Sequence, residues 1–175
     1  MTRPYVSFKN KRLWKCVDYD NYPKGRLYQC VDLVKQYMDE CLGMWKIWAI
    51  WNAKQIPDNL KGKFKIFKNL DSVLQWDIIV KTTWTYWHIS IVDHIYWWKI
   101  YVLEQNWSGK NSWSWTWDNA VRVQPYSFTF YNVIMRNDDI VKNFNTEYYY
   151  VEDKIKERTE LLQNTIEYKA TLQLK

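Results

Sequence analysis

A cysteine, a histidine and a Glu-Gln-Asn triplet supply the side chains in this sequence whose types and order suit nucleophilic chemistry. Cys30 stands in "YQCVDLVKQY", where Cys30, Leu33, Val34, Tyr37, Met38 and Cys41 fall at helical spacing and Gly43 marks a stop. The amides and dipole of a helix N-terminus favour an anion, which turns a thiol placed there toward the nucleophilic thiolate. His88 opens the alternating run "HISIVDHI", and Glu104 and Asn106 end the run "KIYVLEQN". Brought together, they have the parts of a thiol site. The imidazole takes the thiol proton, an amide or carboxylate fixes its tautomer, and helix-start N–H groups hold an oxyanion. Taken singly, each has a plainer meaning: Cys30 as the first member of an apolar stripe, His88 as a half-buried strand histidine, and Glu104 and Asn106 as a solvated strand end.

Whether these residues meet depends on strand register. Side chains alternate between sheet faces, so a slip of one residue moves His88 to the wrong side. A two-residue turn at Trp97-Trp98 pairs Ile89 with Asn106 and misplaces His88. A three-residue loop, Tyr96-Trp97-Trp98, pairs His88 with Asn106 and Ser90 with Glu104. Such a loop needs a residue at positive φ in its last position, normally glycine, where Trp98 stands. The functional register is therefore expected to need the three-residue loop.

Around these residues, positions 1–28 read as loop-rich, with "DYDNYPKG" as turn chemistry. "IWAIWNAKQI" reads as a short helix ended by Pro57. Strands are expected in "DIIVKT" (77–82), "HISIVDHI" (88–95), "KIYVLEQN" (99–106), "AVRVQPY" (120–126) and "FTFYNVIM" (128–135), with a polar loop at "SGKNSWSWTWDN". Helices followed by an antiparallel meander indicate an α+β fold. From about Asn137 the chain becomes charged, with Val151, Ile155, Leu162 and Ile166 at roughly helical spacing. Residues 1–136 are thus expected to form the main domain and 137–175 an amphipathic C-terminal helix able to dock or self-associate.

The chain has 175 residues, 47% hydrophobic and 25% charged, which suits a globular domain. A net charge of +6 favours anionic partners, including an acidic wall polymer, although the excess is modest and a solvated basic surface is the better account of it. No apolar run approaches the ~18 residues of a membrane span, so no stable membrane insertion is expected. The N-terminus lacks the apolar core of a secretory signal. Three cysteines without metal-ligand spacing are expected to be free thiols.

The segments "YQCVDLV", "QWDIIV", "WHISIV" and "EQNWSG", in this order, resemble the CHAP family: cysteine, histidine-dependent amidohydrolase/peptidases, common in phage lysins and bacterial autolysins. The resemblance runs from about Asp18 to Met135. It implies a papain-like α+β catalytic domain that cleaves amide bonds of peptidoglycan, as a muramoyl-alanine amidase or as an endopeptidase. By resemblance Cys30 is the nucleophile, His88 the general base, and Glu104 and Asn106 the positions that orient the imidazole. Gln29 is implied to help shape the oxyanion site. No cofactor is required by this chemistry. Some family members bind calcium through an acidic loop, which points to Asp18, Asp20 and Asp32; the plainer account is Asx-turn and helix-capping chemistry. The implied partner is peptidoglycan rather than nucleic acid. The implied route is release from the cytoplasm by lysis or virion packaging. The alternative class is a non-catalytic wall-binding or phage structural domain of the same fold.

Against this family the tryptophans stand out. The chain has 13 Trp and 4 Gly, whereas average usage gives ~7% Gly. Trp76, Trp87, Trp51 and the pair Trp97-Trp98 occupy positions where the family resemblance calls for glycine, as do the tryptophans of "NSWSWTWDN". Turns and close backbone approaches favour glycine on physical grounds too. Many of these tryptophans are accordingly read as UGA codons that specify glycine. The rival, an aromatic surface for stacking on sugars or bases, fits their clustering at turns less well. If the indoles are present, Trp76, Trp87 and Trp98 are expected to crowd the site.

Overall fold

The computed structural model describes residues 4–19, 28–44, 52–83, 87–107 and 120–138. Asp20, the polar loop at 108–119 and the C-terminal segment from 139 onward lie outside the described residues. Three α-helices, α1 (Pro4–Arg12), α2 (Cys30–Leu42) and α3 (Ile56–Leu60), accompany six strands. These are β1 (Lys65–Phe67), β2 (Ile78–Lys81), β3 (His88–Tyr96), β4 (Lys99–Glu104), β5 (Arg122–Ser127) and β6 (Val133–Arg136). They form one antiparallel sheet in the order β1-β6-β2-β3-β4-β5. The fold is α+β, as the element order implied, but the sheet is not a simple meander, because β6 returns to lie between β1 and β2.

The sequence pattern placed α2 and most strands. α2 begins at Cys30, and Gly43 ends it in the left-handed conformation at φ 63°, with Met44 N–H reaching back to Met38 O at 2.9 Å. Pro57 does not end a helix. It sits in the first turn of α3, where its missing N–H costs nothing. α1 falls in the stretch expected to be loop; its apolar face is short, and tertiary packing of Phe8 and Tyr5 against Tyr37 holds it. The run "FTFYNVIM" contributes only its second half as strand, after a turn at 128–130. Pro125 is accommodated because β5 is the outermost strand among the described residues.

The core lies on both faces of the central strands. His88 through Asp93 are all buried, so β3 does not show the half-solvated alternation of an exposed sheet. α2 packs against β3. A second cluster gathers Ile79, Val92, Ile100, Val102 and Ile134 under Leu70, Val73 and Tyr131.

Among the described residues, four non-glycine positions have positive φ, and three are tryptophans: Trp14 (64°), Trp76 (73°) and Trp97 (54°). The fourth is Asn106 (52°). A left-handed conformation is unusual for a bulky side chain. Trp14 follows α1 as Gly43 follows α2, at nearly the same φ. This pattern supports the glycine reading at these positions.

Candidate active site

The β3–β4 hairpin turns through two residues, not three. Tyr96 pairs with Lys99, leaving Trp97 and Trp98 as the loop, with the positive φ at Trp97 rather than Trp98. By alternation alone this would put His88 on the wrong face. A β-bulge between Val92 and His94 corrects it. His94 pairs with Tyr101, but Val92 pairs with Val102 and Ile91 with Leu103, leaving Asp93 as the extra residue. Continuing that ladder sets Ser90 opposite Glu104 and His88 opposite Asn106. The required register is reached, by a bulge in place of the odd loop.

The bulge is held from outside the sheet. Asp93 is buried, and its carboxylate accepts from Tyr5 OH (2.9 Å), Lys9 Nζ (2.8 Å) and the His94 ring (2.8 Å), while Gln75 Nε2 donates to its carbonyl (2.7 Å). Burial raises the Asp93 pKa, but these donors outweigh it and hold the carboxyl below the usual value.

His88 is 3% exposed, and its Nε2 lies 3.0 Å from Glu104 Oε2. A diagonal neighbour across an antiparallel pair is within reach of long side chains. The Cys30 side chain lies close enough to the His88 ring to act on its protonation. With Nε2 committed to Glu104, Nδ1 is the nitrogen left for the sulfur. Burial opposes a charged ring, but the hydrogen bonds and charges of Cys30 and Glu104 prevail and raise the His88 pKa from 6.5 to about 9. At Cys41, burial and Glu40 push the thiol up to about 12, away from nucleophilic use.

Glu104 is fully buried, and its charge is compensated on every side. Besides His88, it accepts from Tyr126 OH at 2.9 and 3.0 Å and from Arg122 Nε and a terminal guanidinium nitrogen at 3.3 Å each. Burial and Glu104 itself raise the Tyr126 pKa, so its hydroxyl stays a donor. Trp107 meets His88 edge to face at 5.1 Å, and Ser90 Oγ bonds Tyr131 OH at 2.8 Å behind the ring.

Asn106 lies two residues beyond Glu104 and is 8% exposed; among the described residues its side-chain oxygen has no hydrogen-bond partner. Glu104, not Asn106, holds the imidazole. Gln29 is the N-cap of α2, and its N–H donates to Asp32 Oδ2 at 2.9 Å. Asp32 therefore serves as the reciprocal carboxylate of a helix cap. Among the described residues no group of three or more His, Cys, Asp or Glu side chains is placed to hold a metal ion. Asp20, one of the three carboxylates pointed to for calcium, lies outside the described residues.

The expected crowding by tryptophan is not seen at Trp98. It is 82% exposed at the hairpin tip, about eight strand residues or roughly 26 Å from His88. Trp76 is buried beside Tyr5, and its backbone pairs with Val92 (2.8 Å) and Tyr37 OH (2.9 Å). Trp87 is half-buried, with Lys54 Nζ 5.1 Å from its ring.

Sequence reasoning missed Arg122, Tyr126 and Gln105. Arg122 and Tyr126 share a face by alternation in "RVQPY", and a basic residue opposite a buried glutamate was the available signal, but using it required the β4–β5 register that pairs Glu104 with Arg122.

No helix among the described residues is long and apolar enough to cross a membrane. No family model matches the chain, and no curated protein matches it. Solved structures do. The wild-type endolysin LysIME-EF1 superposes with a TM-score of 0.60 at 18% identity, over 75% of this chain and 62% of that one. Ly7917 superposes with a TM-score of 0.55 at 14% identity, over 78% of this chain and 62% of that one. The chain spans about three fifths of the length of each, and what it shares with them is the fold.

Proposed function

We propose that this chain is a cysteine hydrolase acting on amide bonds of bacterial peptidoglycan. The observation that carries the proposal is the buried His88–Glu104 pair, 3.0 Å apart, with Cys30 beside the imidazole at the first residue of a helix. The presence of an endolysin among structures of this fold supports the substrate class.

In the proposed reaction His88 holds the thiol proton and leaves Cys30 as thiolate. The sulfur attacks the amide carbonyl, and the C=O pair becomes an oxyanion facing the Cys30 N–H at the start of α2, which has no intrahelical acceptor. The C–N bond then breaks as the His88 imidazolium donates its proton to the leaving amine. Water, deprotonated by the neutral ring, attacks the thioester and releases the acid. Glu104 keeps the ring oriented and stabilises its charged form, while Arg122 and Tyr126 fix Glu104. The net positive charge favours approach to an anionic wall. Both a muramoyl-alanine amide and a peptide amide of the stem or cross-bridge satisfy this mechanism.

The test is clearing of a peptidoglycan suspension by the full chain beside its Cys30→Ala variant. Clearing by the parent and not by the variant is expected, and analysis of newly freed amino and muramoyl ends distinguishes amidase from endopeptidase. Equal clearing by both proteins would end the cysteine assignment. Wall binding without clearing by either would favour a non-catalytic domain.

A further inference from the structure

The residue between Glu104 and Asn106 has no part in the proton transfers above, yet it is among the most constrained side chains in the molecule. Gln105 is completely buried. Its Oε1 accepts from Val17 N–H at 2.6 Å; its Nε2 donates to Val17 O at 2.7 Å and to Gln29 O at 2.9 Å. Both amide hydrogens and the carbonyl are used. Burying an amide costs free energy unless it is so satisfied, so this side chain is placed for its bonds rather than its volume.

The bond to Gln29 is the informative one. Gln29 precedes Cys30, and its carbonyl belongs to the same peptide unit as the Cys30 N–H. That carbonyl receives a second bond from Asp32 N–H at 3.0 Å. In a trans peptide the C=O and N–H point in opposite directions. Two donors holding the carbonyl on one side therefore fix the Cys30 N–H toward the other. At the first residue of a helix that N–H has no intrahelical acceptor.

We propose that Gln105 is a positioning residue: it clamps the Gln29–Cys30 peptide plane so that the Cys30 N–H is aimed at the oxygen of the attacked carbonyl. The inference rests on the cysteine-hydrolase proposal. It places the imidazole's partner and the oxyanion donor's clamp on adjacent residues of one strand, so that Glu104 and Gln105 set base and oxyanion site together.

The test separates oxyanion positioning from thiol activation and from folding. Alkylation of Cys30 by iodoacetamide uses the same thiolate but displaces iodide at a saturated carbon, with no oxyanion formed. Gln105→Glu and Gln105→Met are compared with the parent on soluble peptidoglycan fragments, and Cys30 alkylation is followed by mass spectrometry across pH. The expected result is a fall in kcat of at least about tenfold, short of the ~10²–10³ for outright loss of an oxyanion donor. KM stays within about twofold, and the rate and pH profile of Cys30 alkylation are unchanged. Unchanged kcat in both variants overturns the inference. So does a parallel loss of turnover and alkylation, or failure of both variants to fold, since either assigns Gln105 to the scaffold alone. Turnover surviving in Cys30→Ala instead removes the cysteine-hydrolase proposal, and it is read from a different protein.

Discussion

Replacing Glu104 with glutamine keeps the shape of the side chain and removes its charge. Glu104 presents one oxygen to His88 and the other to Arg122, with Tyr126 bridging both. Glutamine has one oxygen and one NH₂ for these two places. If the oxygen faces His88, the NH₂ confronts two guanidinium donors. If it faces Arg122, the NH₂ confronts Nε2, which must then accept, and the imidazole proton moves to the nitrogen facing Cys30. That tautomer cannot take the thiol proton. A hydrogen bond to a charged group contributes about 1.5–3 kcal/mol, and every ~1.4 kcal/mol is tenfold in rate, so kcat is expected to fall by roughly 10- to 150-fold. The pH profile changes as well. His88, raised to about 9, stays protonated below that pH, so turnover that needs the imidazolium persists up to about 9 and declines above it. Removing the neighbouring negative charge moves that decline down by about one to three pH units. The assay is kcat on soluble peptidoglycan fragments from pH 5 to 10, with Cys30 alkylation measured in parallel. A Glu104→Gln protein that keeps near-parent kcat, with the alkaline decline still near 9, would refute the assignment of Glu104 as the imidazole's partner.

Other outcomes follow from the same geometry. Asn106→Gly, which tolerates the left-handed backbone and removes an oxygen without a partner, is expected to retain most activity; a loss as large as that of Glu104→Gln would show that Asn106 acts in turnover. Trp97→Gly is expected to stabilise the fold by about 0.5–1 kcal/mol in denaturant titration, because Trp97 is 75% exposed and relief of ~1–2 kcal/mol of left-handed strain exceeds the ~0.5–1 kcal/mol entropic cost of ordering glycine. The gene is expected to carry UGA at Trp14, Trp76 and Trp97; UGG at most of these codons would end the idea that they stand for glycine. Asp93→Asn is expected to destabilise by about 1–3 kcal/mol at neutral pH. The Asp93 pKa is lowered on folding, so its contribution is present above the unfolded value of 3.8 and is lost as pH falls through the lower folded value. Parent and variant should approach one another as pH falls below 3.8; a difference that stays constant with falling pH would argue against the carboxylate as the source.

Much of the site was legible without coordinates. The apolar spacing after Cys30, with Gly43 beyond it, located α2 and put the thiol at its first residue. Alternation located β3 and β4, and with them His88 and Glu104. These signals are local, since helix and strand periods are written in neighbouring residues. α1 was not legible, because its short apolar face gains its stability from Tyr37, a residue of another helix. Pro57 was misplaced as a helix end because proline is equally at home in a first turn.

The sequence by itself indicated which residues have the types for chemistry, which elements carry them, and that Trp76 stands at a position suited to glycine; it put the positive φ of the hairpin at Trp98, where the structure has it at Trp97. It offered two hairpin registers and tied the functional one to a three-residue loop. The tertiary structure decided otherwise: the loop has two residues, and Asp93 bulges out to restore the register, held by Tyr5 and Lys9 of α1. It also decided that Glu104 rather than Asn106 holds His88, that Arg122 and Tyr126 compensate the buried carboxylate, and that Gln105 ties the strand to the peptide before Cys30. Each of these is a bond between residues 16 to 88 positions apart. Such partners are set by how the elements pack and register, and no period in the local sequence encodes them.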